Sequence, residues 1–149
     1  MNIRIATVAD APDLVEFNQA MALETEGKKL DTNVLSRGVA AVFDDVQKGF
    51  YVVAEVEGHV VGCLLITFEW SDWRNGWFWW IQSVYVRPQA RGKSVYSKLY
   101  AYVKEKAAQR TDVCGFRLYV DRDNEHAQRV YEKLGMERSN YLPYEELCR

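Results

Sequence analysis

A basic, glycine-containing turn between an apolar run and a helical pattern is the part of this chain that points most directly to chemistry. The turn, Arg91-Gly92-Lys93-Ser94, follows the apolar residues Val84-Tyr85-Val86. Backbone N–H groups at the start of a helix lack intrahelical partners, and the helix dipole adds positive potential there. With Arg91 and Lys93 beside them, these groups suit a phosphate ester. The pattern predicts that the chain binds a phosphorylated cofactor.

The same turn shares three residues with a different kind of phosphate site. Gly92-Lys93-Ser94 is also the end of a nucleotide-binding P-loop, Gly-x-x-x-x-Gly-Lys-Ser/Thr. The leading glycine of that motif would fall at position 87, where this chain has Arg87 followed by Pro88. A nucleoside triphosphatase is therefore disfavoured.

Five strands and four helices are predicted to position this turn. Alternating apolar residues and β-branched or aromatic runs predict strands at 3–6, 50–56, 60–68, 77–86 and 116–120. Glu57-Gly58-His59 is expected to join the second strand to the third as a hairpin. Helical spacing predicts helices that begin near positions 10, 31, 94 and 125, with the second ending at Gly49 and the fourth at Leu134. This order predicts an α/β fold with a mixed sheet.

The composition fits one soluble globular domain, residues 1–149. Hydrophobic residues make up 48% and charged residues 27% of the 149-residue chain, which is ordinary. The formal net charge of -2 does not indicate binding to nucleic acid or to an anionic membrane. No apolar run approaches the roughly 18 residues of a membrane span. Three widely separated cysteines without metal-ligand spacing predict reduced thiols, no metal site and a cytoplasmic location.

Two motifs in this order resemble one family. Gln89-Ala90-Arg91-Gly92-Lys93-Ser94 resembles the Gln/Arg-x-x-Gly-x-Gly/Ala loop of the GNAT superfamily of acyl-CoA-dependent N-acetyltransferases. Downstream, Asn124-x-x-Ala127-x-x-x-Tyr131-x-x-x-Gly135-Met136 resembles the second signature of that family, a helix opened by asparagine and stopped by glycine. The resemblance covers essentially the whole chain. It implies a GNAT-like fold, a central twisted mixed sheet flanked by about four helices.

The resemblance implies acetyl-CoA as the cofactor. Its pyrophosphate would lie on the turn, and its pantetheine arm would lie along the strand that contains residues 83–86. The residues that the resemblance places against it are Val84, Tyr85, Val86, Arg91, Gly92, Lys93, Ser94, Val95, Tyr96, Asn124 and Tyr131. The family usually has small residues at the positions of both Ser94 and Tyr96, because backbone approaches the pyrophosphate closely there. Serine is small and tyrosine is not, and we expect the cofactor to bind nonetheless.

The catalytic groups are Tyr131 and a base whose identity stays open. The resemblance implies that Tyr131 donates a proton to the departing thiolate, although its spacing alone favours a core position in the apolar stripe of a helix. The diamine acetyltransferases, which the chain resembles between Trp70 and Gly92, carry a glutamate where this sequence has Gln82. An amide does not accept a proton usefully, so either the base is relocated or Gln82 orients a water that does the work. The candidates for a relocated base are Glu69, Asp72, Glu24 and Glu26.

All five tryptophans lie between positions 70 and 80. Successive strand residues point to opposite faces, so Trp77 and Trp79 share one face while Trp80 lies on the other. They fill core or a dimer interface, or some of them line an acceptor cleft, where an aromatic face attracts a cationic amine by about 0.5–2 kcal/mol. The candidate acceptor-site residues are Glu24, Glu26, Trp70, Asp72, Trp73 and Trp77.

The expected activity is therefore transfer of an acetyl group from acetyl-CoA to a primary amine of a small molecule, by direct attack in a ternary complex. Homodimeric assembly is expected because the resemblance implies it and because the chain is rich in aromatic residues. Two alternatives stay open: an acyl-CoA sensor or assembly module without catalysis, and a transferase for protein lysines or N-termini. A covalent cysteine intermediate is disfavoured, because neither His59 nor His126 stands in a Cys-His arrangement.

Overall fold

The computed structural model describes all 149 residues and confirms the predicted order of elements. The strands are β1 (Asn2–Ile5), β2 (Phe50–Val56), β3 (His59–Ser71), β4 (Gly76–Val86) and β5 (Val113–Leu118). The helices are α1 (Ala11–Glu26), α2 (Thr32–Asp44), α3 (Val95–Ala108) and α4 (Glu125–Lys133). The chain separates into two compact units, residues 1–119 and 120–149, and a single-domain organisation stays a prediction. None of the helices is both long and apolar enough to cross a membrane.

The sheet is mixed, with strand order β1-β2-β3-β4-β5. The first four strands pair antiparallel, and β5 pairs parallel to β4. The β2–β3 connection is the predicted hairpin, in which Glu57 and Gly58 both adopt positive φ, 50° and 79°. Two such residues make the type I′ turn that matches the twist of the flanking strands.

A β-bulge at Ser83 separates the end of β4 from β5. Ser83 and Val84 together stand opposite Leu64 of β3, and Ser83 has a φ of 53°. A bulge bends the strand that contains it. Pairing between β4 and β5 accordingly ends at Ile81, opposite Leu118, and no strand pairs with the β5 side of residues 82–86. We call this stretch the open edge of β4.

The two faces of the sheet are covered by different helices. Phe17 of α1 and Val39 of α2 pack in one buried cluster with Tyr51, Cys63 and Tyr85 of the strands. The alternate strand residues, which point to the opposite face, are equally buried, and α3 packs against the strands that carry them. The core therefore consists of two layers on either side of the sheet.

The predicted end of α2 and the predicted bounds of β5 are wrong. Helix α2 ends at Asp44 rather than at Gly49, because Asp45 leaves helical geometry and its Oδ1 accepts a hydrogen bond from the backbone N of Gln47. Strand β5 covers residues 113–118 rather than 116–120, because its register is set by parallel pairing with residues 77–81 of β4. These boundaries depend on hydrogen bonds that the spacing of apolar residues along the sequence does not reveal.

Asp10 directly precedes α1, but its side chain does not bond to the first turn of that helix. Its buried carboxylate accepts hydrogen bonds from Arg4 Nη1 at 2.7 Å, Arg4 Nη2 at 3.0 Å and the backbone N of Thr7 at 2.8 Å. Arg4 also donates from Nε to Glu55 at 2.8 Å. The carboxylate thus ties β1 to the entry of α1, and Arg4 holds the pKa of Asp10 below its ordinary value.

Asp10→Ala is expected to lower the free energy of unfolding at pH 7 by about 2–4 kcal/mol, because it removes the hydrogen bonds that a buried carboxylate accepts from Arg4 and from the backbone N of Thr7. The wild-type advantage is present above the ordinary aspartate pKa and is lost as the pH falls through the lowered one. Urea unfolding at pH 7 and below pH 4 measures both effects. Asp45→Asn, which removes an exposed ion pair with Lys48, is the control and should leave the midpoint unchanged. An Asp10→Ala midpoint equal to that of wild type would contradict this account.

Candidate active site

The open edge of β4 is the starting point of the candidate site. Residues 82–86 keep their pairing with β3, while the side that β5 leaves is unpaired by any strand. Backbone N–H and C=O groups on such an edge can bind an extended ligand as if it were an added strand. The open edge is followed directly by the basic turn, because only residues 87–94 separate β4 from α3.

The turn presents the start of α3 without a side-chain cap. Gly92 and Ser94 both adopt left-handed backbone, with φ of 76° and 62°, and no side chain bonds to the first turn of the helix. Val95, the first helical residue, is buried against β3, where a Cβ on Gly62 would approach its Cγ1 to 2.9 Å. Gly62 therefore lets the helix start sit close to the strand. The resulting N-terminus has the features of an anion site.

Ser94→Gly is expected to raise the free energy of unfolding by about 0.5–1 kcal/mol. Left-handed backbone costs a serine about 1–2 kcal/mol, and the greater freedom of glycine in the unfolded chain offsets part of that gain. Ser94→Ala keeps the left-handed cost and should leave stability unchanged in the same urea titration. If the two variants are equally stable, the left-handed conformation carries no cost here.

Arg91, predicted to face the pyrophosphate, is held by protein groups. Its Nη2 lies 2.8 Å from Glu24 Oε2, its Nε donates to the Val86 carbonyl at 2.9 Å, and its guanidinium lies 5.5 Å from the Tyr85 ring centroid. The Tyr85 hydroxyl also bonds to Glu24, at 3.4 Å. Arg91 thus fixes the turn to the end of α1. Lys93 is exposed and forms no ion pair, so it is the cation beside the helix start that no carboxylate neutralises.

Gln82 stands at the open edge with a polar partner on β3. Its Oε1 accepts a hydrogen bond from Thr67 Oγ1 at 3.1 Å. Trp80 lies two residues earlier on the same face, and its ring packs 4.6 Å from that of Tyr119. Thr67, Trp80 and Tyr119 were not among the site residues predicted from the sequence. The strict alternation of β4 is the signal that could have placed Trp80 beside Gln82.

Glu69, a candidate base, is bound by two side chains of neighbouring strands. It pairs across the sheet with Phe78, four residues and roughly 13 Å along β4 from Gln82. Its Oε1 accepts from Trp80 Nε1 at 3.0 Å and lies 2.7 Å from Arg117 Nη1. The Arg117 guanidinium in turn stacks 3.6 Å from the centroid of the Phe78 ring. The Glu69 carboxylate is therefore already bound by Trp80 and Arg117.

The other acidic candidates are engaged as well. Glu24 pairs with Arg91, and Glu26 lies 3.9 Å from Lys28 Nζ. Asp72 Oδ1 accepts from the backbone N of Trp73 at 2.9 Å. The structure therefore places compensating cations or donors beside each acidic side chain predicted to attract a cationic amine.

The tryptophans divide as alternation predicted, and most lie away from Gln82. Trp79 is buried and packs edge-on against Phe50 at 5.3 Å. Trp70 and Trp77 form an edge-to-face pair at 4.9 Å near the tip of the β3–β4 hairpin, where Trp73 is exposed. Trp77 is five residues, roughly 16 Å, from Gln82 along β4. The structure therefore does not bring these three residues to the open edge.

Residues 120–149 hold the second motif. Asn124 Oδ1 accepts from the backbone N of Ala127 at 3.1 Å and so caps α4, while Gly135 follows the helix with a φ of 104°. Tyr131 is half-buried, and burial raises the pKa of its phenol. The hydroxyl is consequently protonated at neutral pH and able to donate.

The buried thiol near the open edge is not a nucleophile. Cys63 Sγ lies 3.5 Å from the carbonyl oxygen of Ser83, and burial raises the pKa of this thiol to about 12. A thiol attacks as its thiolate, which is scarce at neutral pH for such a group.

Comparison with known proteins gives one family. Residues 14–136 match the model of the acetyltransferase (GNAT) family. A possible acetyltransferase from Clostridium difficile 630 is 42% identical with a TM-score of 0.92, over 99% of this chain and 97% of that one. No curated protein sequence matches the chain.

Two more distant structures show the fold alone. A predicted acetyltransferase with acetyl-CoA from Clostridium acetobutylicum is 18% identical, with a TM-score of 0.77, over 97% of this chain and 95% of that one. A ribosomal-protein-alanine N-acetyltransferase from Brucella melitensis biovar Abortus 2308 is 17% identical, with a TM-score of 0.79, over 98% and 97%. The mixed five-stranded sheet with four helices is therefore the α/β fold of these enzymes.

Proposed function

Since this chain belongs to the acetyltransferase (GNAT) family, we propose that it transfers an acetyl group from acetyl-CoA to a primary amine of a small molecule. The observation that carries the proposal is the open edge of β4 above the uncapped start of α3. One feature suits an extended amide-containing arm, and the other suits a pyrophosphate. Their adjacency matches coenzyme A, in which the pantetheine arm is attached directly to the pyrophosphate.

In this proposal the turn and the edge hold the cofactor. Backbone N–H groups of the turn and the first turn of α3, with Lys93, bind the pyrophosphate. Residues 82–86 pair with the pantetheine arm, and a backbone N–H there polarises the thioester carbonyl. Preorganised donors of this kind are typically worth about 100- to 1000-fold in rate.

The reaction needs a neutral amine and a protonated leaving group. The amine nitrogen attacks the thioester carbon, the C–S bond breaks, and the amine loses one proton while the thiolate gains one. Tyr131 supplies the proton to sulfur, because its raised pKa keeps it protonated. Glu69 is held by Arg117 and Trp80, so in our proposal a water oriented by Gln82 and Thr67 accepts the amine proton.

Two measurements test the proposal. Calorimetry with acetyl-CoA should show saturable binding, and thiol release across a panel of primary amines should show turnover. If the protein binds no acyl-CoA at millimolar concentration, the proposal is wrong. Binding without turnover for any amine would favour the non-catalytic acyl-CoA module. That module is the second candidate because Ser94 and Tyr96 depart from the family pattern and because Gln82 stands where the diamine acetyltransferases carry a glutamate.

The compensated acidic residues predict a modest preference for polyamines. We expect kcat/KM for spermidine to exceed that for a propylamine-like monoamine by less than about tenfold, or about 1.4 kcal/mol. Gln82→Glu adds a carboxylate without a cation partner at the open edge and should raise this ratio. A wild-type ratio of a thousandfold would mean that the acceptor meets acidic groups other than those described.

We also infer a cytoplasmic homodimer. The three cysteines are unpaired by disulfides, which fits a reducing compartment. The number of large apolar side chains left exposed on one copy supports association with a second. Light scattering on the purified chain measures the assembly directly.

A further inference from the structure

Two aromatic side chains stand beside Gln82, and the proposed reaction does not use them. Trp80 is half-buried and lies on the same face of β4 as Gln82. Its ring centroid lies 4.6 Å from that of Tyr119, which directly follows β5 and is 71% exposed. We call Trp80 and Tyr119 the aromatic pair. An exposed ring next to a polar group is the usual composition of a small-molecule site.

Hydrogen bonds from both neighbouring strands fix the Trp80 half of the pair. The indole Nε1 donates to Glu69 Oε1 at 3.0 Å, and this oxygen lies 2.7 Å from Arg117 Nη1. The Arg117 guanidinium stacks 3.6 Å from the centroid of the Phe78 ring. A side chain that is already held loses little conformational entropy when a ligand binds against it. Trp80 is therefore a preorganised binding surface.

The charges beside the aromatic pair decide what it binds, because an aromatic face attracts cations as well as other rings. Arg117 stands opposite Trp80 in the register of β4 and β5, and Glu69 neutralises it. An ammonium group over the pair would add a second cation beside a guanidinium and a carboxylate that already neutralise each other. These surroundings favour an uncharged aromatic group.

The spacing along β4 sets the length of the ligand. Trp80 and Gln82 are two residues apart, which separates their Cα atoms by roughly 7 Å. In the proposed function the reacting nitrogen lies at the water that Gln82 and Thr67 orient. An amine placed there reaches the aromatic pair when a spacer of two carbons joins its nitrogen to its own ring. An amine attached directly to a ring is too short.

We propose that the acceptor is an arylalkylamine, a primary amine whose aromatic ring packs on Trp80 and Tyr119. This inference rests on the proposed function for the position of the reacting nitrogen, and it narrows the small-molecule amine to one chemical class. Trp80 and Tyr119 determine specificity in it and take no part in proton transfer.

The first test compares amines on the wild-type protein. We expect kcat/KM for 2-phenylethylamine to exceed that for propylamine by about 10- to 100-fold, the scale that burial of one aromatic ring gives. The value for 2-cyclohexylethylamine, which is similar in size and lacks an aromatic face, should fall between the two. Equal values for 2-phenylethylamine and either of these amines, or a higher value for spermidine, would overturn the proposal.

The second test removes the exposed ring. Tyr119→Leu should lower kcat/KM for 2-phenylethylamine at least about fivefold and leave that for propylamine within about twofold. The side chain is exposed, so the fold is retained, and Tyr119→Phe, which keeps the ring, should keep the wild-type preference. Tyr102→Leu is the matched control, because α3 packs on the opposite face of the sheet. A Tyr119→Leu protein with the wild-type preference would contradict the assignment.

The third test measures binding without turnover. Calorimetry in the presence of CoA, which has no acetyl group to transfer, should give a Kd for 2-phenylethylamine at least about tenfold below that for propylamine. Tyr119→Leu should remove most of this difference. Selective binding without turnover of any amine would remove the reaction and leave the aromatic site standing. Turnover of amines without selective binding would leave the reaction standing and remove the aromatic site.

Discussion

Replacing Tyr131 with phenylalanine lowers kcat by about 100- to 1000-fold in our expectation and leaves the Kd of acetyl-CoA within about twofold. Proton donation to a leaving group typically contributes at this scale. The substitution removes one hydroxyl and keeps the ring, so packing of α4 is preserved. Thiol release at saturating amine measures kcat, and calorimetry measures the Kd.

The pH profile gives an independent check on the same residue. Burial raises the pKa of Tyr131 above its ordinary value near 10, so the phenol stays protonated throughout the neutral range. This group therefore causes no decline in wild-type kcat below about pH 10. Tyr102→Phe on α3, whose ring lies 5.3 Å from Lys106 Nζ, is the matched control and should retain wild-type kcat. Equal kcat for both variants would exclude Tyr131 as the acid.

Gly49→Ala is the substitution with the largest expected effect on stability, a loss of about 4 kcal/mol in the free energy of unfolding. Gly49 precedes β2 with a φ of 144°, a conformation that residues with side chains rarely adopt. A Cβ at this position would overlap the carbonyl oxygen of Ile66, which is backbone of the adjacent strand and cannot rotate away. The first pairs of β2 with β3 would have to separate.

Gly38→Ala is the control for this change. Gly38 lies inside α2 with open space where the Cβ of an alanine would lie, so this substitution should raise stability by about 0.5–1 kcal/mol. Urea unfolding of both variants measures the difference between two otherwise identical substitutions. A Gly49→Ala variant within about 1 kcal/mol of wild type would show that the β2–β3 pairing can shift to accept the methyl group.

Local signals were sufficient for most of the fold. Gly58, which adopts a positive φ, made the hairpin predictable, and the alternation of β4 placed Trp79 and Trp80 on opposite faces. The basic turn before α3 was predictable because its glycine and cations stand next to a helical pattern. These features depend on neighbours within a few residues.

The arrangement of the site could not be predicted in the same way. The open edge results from the bulge at Ser83, where a serine adopts a conformation that sequence assigns to glycine. Glu24 and Arg91 are separated by 67 residues, and Glu69 and Arg117 by 48, so their pairing depends on the fold. From the sequence these acidic residues were therefore expected to add negative potential at the acceptor site, whereas in the structure Glu24, Glu26 and Glu69 lie beside cations.

The open edge of β4 also bears on how such a protein diversifies. A ligand recognised through main-chain N–H and C=O groups places few demands on the side chains of residues 82–86, because every residue other than proline offers the same two groups. In the proposed function, a substitution at Gln82, which is outside the core cluster, can therefore change the acceptor while the cofactor continues to bind. Gln82 is for this reason a natural starting point for directed evolution toward new amines.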